Sequence, residues 1–165
     1  MTLLAETQSP AQSYLRLDLD ADNSALIPVE SIAEIVTFDP REILPVPEMP
    51  ESVWGIRNWR SEMLWMVDLS HLLGFTALSQ QSQHSTPMTA IVVQHEDRSL
   101  GLAIARVSDI ETYDRAQLQS ASTQLFSAQT LPFLQGFMID NQDEIVMTLD
   151  PSTIFQHPQW QQHRQ

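Results

Sequence analysis

Apolar and polar residues alternate along Tyr14-Leu15-Arg16-Leu17-Asp18-Leu19, which puts Leu15, Leu17 and Leu19 on one face of a half-buried strand. Asp20 to Ser24 is turn chemistry, and Ala25 to Val29 reads as a short strand whose Pro28 suits a sheet edge or a bulge. Ile32 to Phe38 is a further strand. Pro40, Pro45, Pro47 and Pro50 then impose an extended, irregular connection over residues 39–50. From Val53 to Gly74 the pattern predicts strand, tight turn, strand, and one or two turns of helix, with Asp68 as N-cap and Gly74 as the C-terminal stop.

The second half repeats this grammar. Thr89 to His95 is a buried strand, Glu96 to Ser99 a hairpin turn, and Leu100 to Val107 a return strand running on towards Tyr113. Gln117 to Thr130 fits either a short helix or a loop. Phe133 to Asp140 and Glu144 to Asp150 form a hairpin, and Asp150-Pro151 opens a short helix. In each half a Gly-bearing strand (Gly55, Gly136) leads through a turn and a strand to an acidic cap (Asp68, Asp150). Short strands with frequent turns predict an all-β fold, and the echo suggests two small barrels in tandem.

Composition narrows the function. At 165 residues and 42% hydrophobic, the chain suffices for one domain or two lobes sharing a core. It has no run long and apolar enough for a transmembrane helix, and Met1 to Glu6 reads against a signal peptide, so a cytoplasmic location is expected. There is no Cys, which removes disulfides and thiolate chemistry. There is no Lys either: eight Arg face 21 acidic residues, for a net charge of -13. That balance argues against nucleic acid and anionic membranes, and no phosphate-cradling loop is present.

No catalytic constellation emerges. The five His never fall at ligand spacing, so no metal or other cofactor is expected. Glu96/Asp97 and Asp143/Glu144 sit in predicted turns, where solvation explains them. Trp54, Trp59 and Trp65 read as packing residues. Arg60 stands out beside Asn58 at a predicted hairpin turn. It reads either as a solvated turn residue or as a recognition residue offering a fork of donors to a partner's carboxylate.

Gly55, Ile56, Asn58, Trp59, Arg60, Val67, Asp68, Leu69, Leu73 and Gly74 resemble, in order and spacing, the signature of CheW-like coupling proteins of bacterial chemotaxis. Ile32-Ala33-Glu34-Ile35, Gly101 to Val107, Gly136 and Ile145 to Leu149 extend the resemblance over residues 14–155. It implies two SH3-like five-stranded β-barrel lobes on a shared core, with a few short helices. The expected division is lobe 1 over about 14–75, lobe 2 over about 88–150, a helix over about 151–156, and flexible tails at 1–13 and 157–165. It also implies a non-enzymatic adaptor, recruited to membrane receptor arrays. Its partners would be the regulatory domain of a chemotaxis-type histidine kinase and the signalling tip of a chemoreceptor. Arg60, Asn58, Trp59, Gly55, Ile56, Glu34 and Ile35 are the expected protein-binding residues, and Ile32 and Val53 are further candidates for the partner surface. Ser61, Trp65 and Ala105 depart from the family pattern, which usually has Gly, Pro and Asp there. The alternative is a small all-β enzyme or ligand-binding module using clustered carboxylates.

Overall fold

A computed structural model of the chain describes residues 10–81 and 87–157. Ten strands form two five-stranded sheets. The strands are β1 (Ala11–Asp18), β2 (Ser24–Pro28), β3 (Ile32–Phe38), β4 (Val53–Trp59), β5 (Glu62–Asp68), β6 (Met88–His95), β7 (Arg98–Ile104), β8 (Arg106–Asp114), β9 (Leu134–Ile139) and β10 (Ile145–Leu149). Two short helices, α1 (Leu69–Leu73) and α2 (Pro151–Phe155), follow β5 and β10. Both caps are as the sequence predicts. The Asp68 carboxylate accepts from the His71 N–H at 3.1 Å and Asp150 from the Ser152 N–H at 3.1 Å, and Gly74 closes α1 in the left-handed region. A second Asp68 oxygen accepts from the Leu78 N–H at 2.8 Å. Burial pushes the Asp68 carboxyl above its ordinary range, opposed by these two N–H groups.

The strand order corrects the expected lobes. One sheet runs β8-β1-β2-β10-β9 and the other β3-β6-β7-β5-β4. The second lobe is therefore the continuous stretch 32–104, and the first is assembled from both ends of the chain. The halves 14–75 and 88–150 are not lobes. Each gives its first hairpin to the other half's remaining strands, through the parallel pairs β2·β10 and β7·β5. Alternation fixes a strand's face but not its neighbour, so this exchange left no local signal. For the same reason the run from Leu100 divides at Ala105, where the chain leaves one sheet for the other and the Ala105 N–H donates to the Asp18 carbonyl at 3.1 Å. Pro28 ends β2 in the middle of its sheet, not at an edge. Residues 11–13 belong to β1 rather than to a tail, and His157 stacks on Phe133 at 5.1 Å. The rest of both expected tails, and most of the Ser/Gln-rich connection, lie outside the described residues. Gln117 to Thr130 is irregular, anchored by a bridge between Gln119 and Phe137.

Alternation divides the interior into three. Leu15, Leu17, Leu19, Ala25, Ile27, Val67, Ile91, Val93, Leu102, Ile104 and Leu149 meet in the core shared by the lobes. The opposite faces of the same strands fill each barrel. Phe38, Trp59, Leu64, Met66, Ala90, Val92 and Ala103 do so in the 32–104 lobe, and Tyr14, Leu26, Tyr113, Met138 and Val146 in the other. Burying one such Leu, Ile or Phe side chain contributes about 1.5–3 kcal/mol.

The two halves correspond as an internal repeat in strand pairing and register. Gly55 and Gly136 both have positive φ, and each lies against a backbone carbonyl, of Leu44 and Gln119 respectively. The Asp68 and Asp150 N–H groups donate to Ser52 and Phe133, each three positions before its glycine. Matched registers make Ile35 equivalent to Ile110, Glu34 to Asp109 and Trp59 to Asp140, while the turns that follow differ in length, Arg60 and Ser61 in one and Asn141 to Asp143 in the other.

Candidate partner-binding site

β3 and β4 are the two edges of the 32–104 sheet, so they face each other across a seam that no strand pairing closes. Side chains close it. The Trp59 indole N–H donates to Glu34 Oε1 at 3.0 Å, and Phe38 packs on Trp54 with ring centroids 6.3 Å apart. Trp59 is buried in the barrel while its polar edge reaches the Glu34 carboxylate on the other strand.

Arg60 sits at the tip of the β4–β5 hairpin. Trp59-Arg60-Ser61-Glu62 is a two-residue turn with φ of 50° at Arg60 and 65° at Ser61. Positive φ at both central residues is the geometry that matches strand twist, and it favours Asn and Gly; Arg and Ser occupy it here at a cost. The Arg60 guanidinium lies 4.7 Å from the centre of the Trp59 ring and pairs with Glu34 Oε1 at 3.1 Å. With side chains 62% and 40% exposed, the Arg60–Glu34 pair remains open to a partner. A pair so exposed adds little stability on its own.

Of the residues singled out in the sequence, Glu34, Trp59 and Arg60 therefore come together. Asn58 is exposed on the outer face opposite Met63, and Ile35 is 47% exposed on β3. Gly55 and Ile56 lie further along β4. Gly55 is buried, and half-buried Ile56 exchanges backbone hydrogen bonds with Leu44 at 2.8 and 3.0 Å. Val53 and Ile32 belong to the shared core or pack against it, so neither is part of an exposed partner surface. Alternation marked both as apolar, and only the tertiary packing decides which side is covered.

Leu44 and Met63, 61% and 58% exposed, were missed. Leu44 falls in the Pro-rich connection, which has no periodicity to read. Met63 had a signal: it is an apolar residue opposite polar Asn58, next to a turn. Glu42, also in that connection, pairs with Arg57 at 3.2 Å.

Among the described residues no group of three or more His, Cys, Asp or Glu could hold a metal ion. A cavity of about 280 Å³ between the halves is lined by Ser52, His71, Gln129, Phe133 and His157, among others. A more polar one of about 430 Å³ opens at the end of the other lobe and includes Arg16, Asp109, Glu111 and Asp140. Its Glu111 and Asp140 carboxylates bind Arg16 at 3.3 and 3.0 Å, which leaves neither poised as a free general base.

Comparison with known proteins gives a consistent result. The family model described as CheW-like domain matches residues 13–159. The "Chemotaxis protein CheW" of Rhizobium meliloti (strain 1021) is 32% identical over 98 residues, a stretch spanning 59% of this chain and 59% of that protein. The scaffolding protein TtCheW from Thermoanaerobacter tengcongensis has a similar fold. Its crystal structure aligns with a TM-score of 0.69 at 18% identity, covering 86% of this chain and 90% of that one.

Proposed function

The chain belongs to the CheW-like domain family, and from that premise we propose that it is a non-catalytic adaptor coupling a chemoreceptor-type sensor to a chemotaxis-type histidine kinase. The reading rests above all on the family match along nearly the whole chain. The named relative is matched over 59% of its length, so the partners are proposed for this chain by likeness. The adaptor works in the cytoplasm at receptor arrays; no described helix is long and apolar enough to cross a membrane. Its contact surface is the β3–β4 seam and hairpin tip, with Arg60, Asn58 and Ile35 exposed and Trp59 and Glu34 holding the tip in place. The strained backbone at Arg60 supports this assignment, since strained positions persist at sites that use them.

A charge swap tests it. Arg60→Glu sets two carboxylates against each other at the seam, and binding to the kinase regulatory domain or receptor tip should weaken by about 2 kcal/mol or more. Melting should move little, because the side chain is exposed. Glu34→Gln keeps an acceptor for the Trp59 indole N–H and removes only the ion pair. Loss of binding in Glu34→Gln to match Arg60→Glu would assign Arg60 to an internal clasp; near-normal binding places its charge at the partner. Full binding by the single variant would remove Arg60 from the site.

A further inference from the structure

Sulfur is unevenly placed in this molecule. The chain has no Cys and seven Met. Met66, Met88, Met138 and Met147 are buried in the barrels or the shared core, and Met49 is half-buried against that core. Met1 lies outside the described residues. Met63 is 58% exposed, and among the described residues it is the one exposed side chain that carries sulfur.

Its position is at the proposed contact surface. Met63 stands on β5 directly opposite Asn58, in the hairpin whose tip carries the Arg60–Glu34 pair. The equivalent pair in the other lobe is Ile145 opposite Ile139, 48% and 42% exposed. The same register therefore presents an exposed apolar side chain in both lobes, and only the 32–104 lobe makes it a thioether. A thioether adapts to a partner surface as an aliphatic chain does, but its sulfur can also be oxidised. We infer that Met63 is a reversible oxidation site, whose conversion to the sulfoxide by a peroxide weakens partner binding at the hairpin. The inference rests on the adaptor reading and adds a regulation of the same surface.

The chemistry balances with hydrogen peroxide alone. A lone pair on the Met63 Sδ attacks one peroxide oxygen, the S–O bond forms and the O–O bond breaks. The departing hydroxide takes the proton of the transferred oxygen and leaves as water. Sulfur loses two electrons and the peroxide gains them. A methionine sulfoxide reductase with a dithiol reverses the step, releasing the oxygen as water and leaving a disulfide on the reductant. In the free chain the new oxygen stays in water, so the fold does not register it. Under a partner the same oxygen is buried, and a buried polar group without a partner is costly.

The test treats the full-length chain with hydrogen peroxide and follows three readouts: peptide masses, melting, and titration with the kinase regulatory domain and the receptor tip. Met63 should be oxidised ahead of Met49, Met66, Met88, Met138 and Met147, with the melting midpoint unchanged. Binding should weaken about fivefold or more and return after reductase treatment. Met63→Leu, whatever its own starting affinity, should keep that affinity through the same peroxide treatment. Oxidation of a buried Met before Met63 would overturn the site. Unchanged binding by chain oxidised at Met63, or an equal loss in peroxide-treated Met63→Leu, would overturn the regulation while leaving the adaptor reading intact. Failure of the untreated parent to bind either partner would instead overturn the adaptor reading, and this inference with it.

Discussion

At the scale of single residues, backbone conformation and charge pairing give the sharpest tests. Ser61 has a φ of 65°, a region costly for a residue with a Cβ. Ser61→Gly should therefore stabilise the fold by about 1 kcal/mol, even after the added unfolded-state entropy of glycine is counted. In a chain of this size that is a rise in melting midpoint of about 2–4 °C, and a fall would show that the turn relaxes in solution. Asp140 gives a pH-dependent counterpart. Burial pushes its carboxyl up, but the Glu144 and Gln142 N–H groups and the Arg16 guanidinium outweigh burial and hold it below the usual carboxylate range. The unfolded chain then takes up this proton at higher pH than the folded one. The stabilisation is complete above the ordinary Asp range, near pH 4, and is lost as pH falls through the depressed folded value. Denaturant melts between neutral pH and about pH 3 should show a smaller acid loss in Asp140→Asn than in the parent. An unchanged slope would mean that other carboxylates carry the acid sensitivity.

At the scale of elements, strands, turns and caps were legible because each has a local cause. The two-residue period showed the face of β1, the apolar run of β6 showed a buried strand, and Asp68, Gly74 and Asp150-Pro151 marked both helices. What was not legible was what lies across from each element. Glu34 reads from sequence as a polar residue in an apolar strand, and only the fold brings it to Trp59 and Arg60 at the seam. Gly55 shows the same limit. Its resemblance to a signature glycine was readable, but its physical reason is the Leu44 carbonyl, eleven residues earlier in a stretch without periodicity. A Cβ at position 55 runs into that carbonyl oxygen and also has to tolerate a φ of 139°. Gly55→Ala should cost about 3 kcal/mol, from backbone strain together with overpacking. Gly101→Ala offers the contrast, because the nearest atom there is the Sδ of flexible Met66 and φ is ordinary. Chemical denaturation of the two variants side by side checks this, and equal losses would show that the Leu44 segment yields.

At the scale of the whole molecule, the repeat that was faintly visible in sequence turns out to be an exchange. Residues 11–68 and 88–149 are equivalent units, yet β1 and β2 complete the sheet of β8, β9 and β10, while β6 and β7 complete that of β3, β4 and β5. Loop chemistry in the sequence suggested tandem barrels, since nothing local distinguishes a hairpin that pairs within its own half from one that pairs with the other. The consequence is thermodynamic. A lone half would expose the strand edges that the parallel pairs β2·β10 and β7·β5 cover, and its share of the common core, including Leu17, Ile27, Val67 and Leu69 from one side and Ile91, Val93, Leu102 and Leu149 from the other. Each of those side chains contributes about 1.5–3 kcal/mol when buried, and a domain's whole net stability is only about 5–15 kcal/mol. Neither half can lose that core and remain folded. Cutting the chain within residues 82–86, between the units, should give two fragments that are each unfolded by circular dichroism and that form one folded heterodimer on mixing, with a melting midpoint that rises with concentration. A tandem arrangement predicts the opposite, two fragments that fold separately and show no mutual stabilisation. Separate cooperative melting of either fragment would therefore refute the exchanged topology.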